Sequence, residues 1–188
     1  LVPVSQWRGG YDRADLVLLG PGPGNPLDDR DPRIVHMKNA LSKCFSEKTP
    51  FLAVCLSHQI LAAYLGLKVE RLPHPNQGVQ REIDYFGRSA VVGFYNTFAA
   101  RSSFDSFCTG GMSVSVARDV TTGQVHALRG EFFSSMQFHP ESVLSLAGTS
   151  LLATELERIA GVEAEPRLSL AISNSQAGSV RQDRRTSA

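Results

Sequence analysis

The chain has 188 residues, 42% of them hydrophobic, and a formal net charge of +1. That is apolar material enough for the core of one domain, with a charge balance that gives no reason to expect a nucleic acid or an anionic membrane as partner. No apolar run approaches membrane-spanning length and no signal peptide stands out; Cys44, Cys55 and Cys108 form no Cys-x-x-Cys pair, which argues against a disulfide framework or zinc site and for a reducing, cytoplasmic setting.

In chain order, residues 1–14 are polar and irregular and read as an N-terminal remnant. The domain is expected over 15–161, followed by a disordered tail at 162–188, which has no periodicity and an Arg-rich end. Leu16 to Leu19 predicts a strand covered on both faces. It runs into Gly20-Pro21-Gly22-Pro23-Gly24-Asn25-Pro26, through which no regular element can pass. Asp31-Pro32 starts a helix to about Ser46, with Cys44 on its apolar face. Phe51 to Val54 is the next strand, and Cys55 follows at once. Ile60, Leu61, Tyr64 and Leu65 then share one helical face, and Gly66 stops it. This alternation is that of an α/β fold with parallel strands.

The second half has a different texture. Leu67 to Leu72 reads as a short strand. Val79 to Phe86 and Ser89 to Tyr95 flank Gly87-Arg88 as a hairpin, and Ser113 to Ala117 with Gln124 to Leu128 form another. Cys108 is expected in a loop. Phe132 to Phe138 is a strand that ends at His139-Pro140-Glu141, and Thr149 to Ala160 is a helix closed by Gly161.

Three stretches carry chemistry. Cys55, between a strand and a helix, occupies a nucleophile elbow, where free N–H groups and the helix dipole are expected to lower the thiol pKa. His139 can act as its base, and Glu141, two residues on, can hold the ring. A thiolate attacking an amide creates an oxyanion that needs N–H donors. The glycines of the Gly20 to Gly24 loop and the Leu56 N–H are the candidates. The loop lacks the Lys-Ser/Thr ending of a phosphate cradle.

Pro21-Gly22-Pro23-Gly24-x-Pro26, Cys55-Leu56-x-x-Gln59 and Gln137-Phe138-His139-Pro140-Glu141-Ser142 together resemble the class I (triad) glutamine amidotransferases, over about Asp15 to Ile159. The resemblance implies an open, mostly parallel, flavodoxin-like sheet flanked by helices, with antiparallel hairpins in the second half. It implies Cys55, His139 and Glu141 as a triad that hydrolyses L-glutamine through a glutamyl thioester. It also implies that Gly22, Gly24, Leu56, Gln59, Thr97 and Phe98 surround the bound glutamine. Ser57-His58, in place of the more usual Gly-His, and Asn96-Thr97-Phe98, in place of His-Ser-Leu, are similar to the phenazine-type 2-amino-2-deoxyisochorismate synthases. The implied partner is therefore a chorismate-using synthase, as a fused domain or a separate chain. No cofactor is implied in this domain, and magnesium only in the partner. Members of this family begin with a strand and a helix that have no counterpart ahead of Leu16, which implies an N-terminally truncated domain with an exposed sheet edge. Two other readings follow from the same residues. A free-standing γ-glutamyl hydrolase is disfavoured by Gln59 and Thr97-Phe98. A truncated, inactive docking module is disfavoured by the complete triad.

Overall fold

The computed structural model describes residues 14–161. The expected tail, and all but the last residue of the expected N-terminal remnant, lie outside the described residues. Strand β1, Val17–Leu19, leads through the glycine and proline loop to helix α1, Pro32–Glu47. Asp31 caps α1 by accepting the Arg33 N–H at 2.9 Å. Lys48 ends the helix in the left-handed region, its N–H donating to the Cys44 and Phe45 carbonyls. Strand β2, Phe51–Val54, then passes into helix α2, Leu56–Tyr64, with Cys55 alone between them.

After Gly66 the chain forms β3, Lys68–Arg71; β4, Val79–Asp84; β5, Ser89–Phe94; β6, Phe98–Arg101; and β7, Ser106–Thr109. It continues through β8, Met112–Arg118; β9, Val125–Arg129; β10, Phe133–Met136; and helix α3, Gly148–Ala160. The main sheet has the order β1-β2-β10-β9-β8-β7. Its first three strands are mutually parallel and the remaining neighbours pair antiparallel, so four of the six strands (β1, β2, β10 and β8) run the same way. Both expected hairpins form, β4 with β5 and β8 with β9.

Two strands were not read from the sequence. Strand β6 is short, forms a ladder with β3 and touches Gln124 through a single bridge at Arg101, and β7 is a polar edge strand. Cys108 therefore lies on β7 and not in a loop. Strand β10 ends at Met136, short of the expected Phe138, although the Gln137 N–H still donates to the His126 carbonyl at 2.8 Å.

Strand β2 is buried at every position and divides its side chains between two cores, as a pleated strand must. Phe51 and Ala53 join Ile34, Leu41, Ile60 and Leu61 beneath α1 and α2. Leu52 and Val54 join Val92, Phe94, Phe138, Leu151 and Ile159 beneath α3 and the β4–β5 hairpin. This two-sided burial explains the unbroken apolar run of β2. Strand β1 departs from the expected cover on both faces: Val17 and Leu19 are buried, but Leu18 is 53% exposed, because β1 is the edge of the described sheet and its second face has no layer over it. Glu155 on α3 is fully buried, and its charge is met by Arg129, Arg158 and the Ser134 hydroxyl.

Candidate active site

The carboxyl ends of β1, β2 and β10 lie side by side because the strands are parallel neighbours, and such an edge is where open α/β sheets place ligands. One candidate group follows each strand: the glycine loop after β1, Cys55 after β2, and His139 three residues after β10. Cys55 has φ 56° and ψ −104°, a conformation that costs a side-chain-bearing residue roughly 1–3 kcal/mol. It is held from both sides: its N–H donates to the Met136 carbonyl at 2.8 Å and its own carbonyl accepts the Gln59 N–H at 3.1 Å.

His139 is clamped through its backbone and its ring. Its N–H donates to the Gly93 carbonyl at 3.0 Å. The Ser145 hydroxyl donates to the His139 carbonyl at 2.6 Å and accepts the Gly93 N–H at 2.9 Å. The ring Nδ1 lies 2.7 Å from Glu141 Oε1. A carboxylate oxygen accepts, so the proton of this bond sits on Nδ1, and in the neutral form of the ring Nε2 is the nitrogen that keeps a lone pair. The Tyr95 ring stands edge-on to the imidazole, centroids 5.2 Å apart, and its hydroxyl meets Ser142 Oγ at 3.1 Å.

The expected loss of thiol pKa does not occur. Cys55 is only 6% exposed, and burial pushes its pKa up to about 11. The Leu56 N–H pulls it down, as the elbow argument required, but desolvation is the larger effect and the Glu141 charge adds to it. At neutral pH the Cys55 side chain is thus a protonated thiol.

The remaining sequence candidates fall into two groups. A Cβ on Gly22 would lie 3.3 Å from Leu56 Cδ2, so the loop backbone packs directly on the residue after the cysteine. Gly24 has φ +140°, a region closed to most side chains, and a Cβ there would press on Ile34. Gln59 is buried, and its Nε2 donates to the Phe98 carbonyl at 2.7 Å and to Gln137 Oε1 at 3.0 Å. It therefore ties the elbow helix to the Thr97-Phe98 stretch. Thr97 uses its carbonyl to accept the Leu72 N–H at 2.8 Å, and Phe98 begins β6.

Sequence reasoning gave no role to Gln137, Tyr95, Ser57 or Ser145. Gln137 and Ser57 stood inside quoted motifs without an assigned partner, Tyr95 only closed a predicted strand, and Ser145 had no local signal, since its contacts span up to 52 residues. A separate depression of about 680 Å³, lined among others by Lys68, Glu70, Arg101 and Thr122, contains none of these residues. Its charges satisfy one another, because Glu70 pairs with both Lys68 and Arg101.

Residues 5–159 match the family described as Glutamine amidotransferase class-I, and the chain belongs to that family. It is 54% identical over 144 residues to a phenazine-specific anthranilate synthase of Pseudomonas fluorescens, a match covering 76% of this chain and 23% of that protein. The chain thus spans less than a quarter of that relative's length. It is 28% identical over 148 residues to component 2 of an aminodeoxychorismate synthase from Klebsiella aerogenes, covering 76% of this chain and 75% of that protein. Among solved structures, a glutamine amidotransferase of Thermotoga maritima superposes with a TM-score of 0.57 at 15% identity, over 86% of this chain and 72% of that one. That likeness concerns the fold.

Proposed function

We propose that this chain hydrolyses L-glutamine through a thioester at Cys55 and supplies ammonia to a synthase that aminates chorismate. The product would be 2-amino-2-deoxyisochorismate or anthranilate, within phenazine-type or aromatic secondary metabolism. The observation that carries the reading is the adjacency of the elbow to the His139–Glu141 pair. The Cys55 N–H is bonded to Met136 at 2.8 Å, and three residues later the imidazole is oriented by Glu141 at 2.7 Å.

In the proposed reaction the Cys55 thiol gives its proton to His139 Nε2 as sulfur attacks the side-chain amide carbon of glutamine. Glu141 stabilises the imidazolium that forms. The oxyanion takes hydrogen bonds from the Leu56 N–H and a glycine of the Gly20 to Gly24 loop. As the C–N bond breaks, His139 returns the proton to the departing nitrogen and ammonia leaves. Water, deprotonated by His139, then opens the thioester and releases glutamate. Every step uses side chains, backbone and water, so the proposal places no cofactor in this domain and assigns magnesium to the partner. The setting proposed is the cytoplasm; among the described residues no helix is long and apolar enough to cross a membrane.

A neutral resting thiol favours low activity for the chain alone and a higher rate when it is docked. The glycine loop can hold its peptide planes in more than one orientation, and one oxyanion donor is worth about 3–4 kcal/mol. A partner seated beside it is expected to raise turnover roughly a hundredfold or more. The test is glutamate release with and without a chorismate-using synthase, chorismate present. Full rate in its absence would refute the gating. A folded chain inert under both conditions would favour the docking-module reading, which the unfavourable thiol pKa also suits.

A further inference from the structure

We propose that Ser57 is a positioning residue for the glutaminase reaction, holding the glycine loop in register with Cys55; the proposal rests on the amidotransferase reading above. The Ser57 hydroxyl is inserted into the sheet as a rung of the β1–β2 ladder. These strands are parallel, with Leu18 opposite Leu52 and Leu19 opposite Ala53, and the ladder opens with the Val17 N–H donating to the Pro50 carbonyl at 2.9 Å. In a parallel strand, alternate N–H groups face alternate neighbours. Phe51 and Cys55 donate toward β10, to the Phe132 and Met136 carbonyls at 3.0 and 2.8 Å, so Leu52 and Val54 present theirs to β1. The next regular rung would join the Val54 N–H to the Leu19 carbonyl. Ser57 Oγ stands in that place, accepting the Val54 N–H at 2.7 Å and donating to the Leu19 carbonyl at 2.6 Å. The Val54 carbonyl, at 3.0 Å, is the alternative acceptor for the single hydroxyl proton. Ser57 is fully buried.

The consequence reaches the loop through peptide planarity. The Leu19 oxygen belongs to the Leu19–Gly20 peptide, so fixing it fixes the direction of the Gly20 N–H, the first donor the loop can offer. A hydroxyl in the rung also parts β1 from β2 at the edge where the substrate crevice opens. The neighbouring residue makes a second contact, since Leu56 Cδ2 lies under Gly22, 3.3 Å from where a Cβ would stand. The first turn of α2 thus touches the end of β1 at Leu19 and the loop at Gly22 while carrying Cys55 at its head. A residue without a hydroxyl at this position could not supply the rung, so the tether depends on the Ser57 side chain.

The experiment compares the full chain with its Ser57→Ala and Ser57→Thr variants, each with a chorismate-using synthase. Two rates are read: glutamate release, and alkylation of Cys55 by iodoacetamide mapped by mass spectrometry. Alkylation is a displacement at carbon that develops no oxyanion, so it reports the thiol and the elbow without the loop. Ser57→Ala is expected to lower kcat roughly tenfold to a hundredfold, a fraction of the loss on removing an oxyanion donor outright, with KM and the Cys55 alkylation rate within about twofold. Ser57→Thr, which keeps the hydroxyl, is expected to recover most of kcat. Unchanged kcat in Ser57→Ala overturns the inference. So does a parallel fall of kcat and alkylation, or loss of folding in Ser57→Ala together with no recovery in Ser57→Thr, since either marks a support of the whole elbow. A parent chain that releases no glutamate with its synthase overturns the amidotransferase reading itself.

Discussion

At the residue level, Cys55 sets two opposing influences against each other. The elbow gives the sulfur one N–H, from Leu56, while burial to 6% exposure removes the water that would solvate a thiolate. Desolvation is the stronger, so the thiol is pushed to about 11 and stays protonated near neutral pH unless a base in the site takes its proton. Without substrate, iodoacetamide labelling of Cys55 is therefore expected to climb with pH well beyond 9, while exposed Cys108 is labelled first. A glutamine-like diazo-ketone is expected to reverse that order, because binding delivers the electrophile to Cys55 alone. Peptide mapping of both reactions across pH checks this, and rapid Cys55 labelling by iodoacetamide at pH 7 would contradict it. The base is His139. Its replacement by alanine should cost a hundred- to ten-thousand-fold in kcat with KM little changed, the usual range for an acid–base group. Glu141 orients the ring through one bond of 2.7 Å and its side chain is 57% exposed, so Glu141→Ala should cost less. The two roles are misassigned if Glu141→Ala proves the more damaging in a folded chain.

Among the elements, the turn after β10 depends on a helix that takes no part in the chemistry. Helix α3 begins at Gly148, and a Cβ there would sit 2.0 Å from the Pro140 carbonyl oxygen, an overlap that only backbone movement can relieve. Gly148→Ala should therefore displace Pro140 between His139 and Glu141, destabilising the fold by about 1–3 kcal/mol and lowering kcat with it. Glu157→Ala is the control, an exposed position on the same helix and away from the turn. Denaturant midpoints and turnover for the two variants check this, and a Gly148→Ala chain indistinguishable from the parent would show that the helix start yields without moving the turn. The need for glycine here was illegible in the sequence, because it arises from a contact and not from a positive φ. The elbow was legible for the opposite reason: strand, cysteine and helix are contiguous, and local spacing alone fixed β2 and α2 to within a residue or two. Strands β6 and β7 were missed because their pairing is supplied by β3 and β8, and no pattern within Phe98–Arg101 or Ser106–Thr109 announces it. The thiol pKa was misjudged on similar grounds. Dipole and N–H effects follow from sequence position, whereas the depth of burial depends on the whole fold.

For the molecule as a whole, the layer behind the elbow is polar, and this gives the fold a sensitivity to acid. His58 on α2 is fully buried, with Nδ1 2.8 Å from Ser135 Oγ on β10, and His126 on β9 is 5% exposed. Burial pushes His58 down to about 3, and nearby His126 lowers it further while the Val125 backbone opposes. His126 is pushed down to about 4 by burial, with Asp119 resisting and Arg81 assisting. Both rings are neutral in the folded chain and free to protonate at their ordinary value of about 6.5 once unfolded. A group whose folded pKa is depressed gives stability that is present above the unfolded pKa and lost as pH falls toward the folded one. The window for these two rings is therefore pH 6.5 down to about 4 for His126 and about 3 for His58. A tenfold difference in proton affinity between folded and unfolded chain is worth about 1.4 kcal/mol, so together the rings remove stability on the order of several kcal/mol, comparable with the whole margin of a domain this size. Asp119, held low chiefly by the Thr122 N–H, adds a further loss at the acid end in the same direction. Urea midpoints should accordingly be level between pH 7 and 8 and fall steeply below 6. His126→Gln should flatten the upper part of that fall, because glutamine has no proton to gain. A midpoint unchanged from pH 7.5 to 4.5, or a His126→Gln profile that overlays the parent, would show that the buried pair does not govern the acid limit.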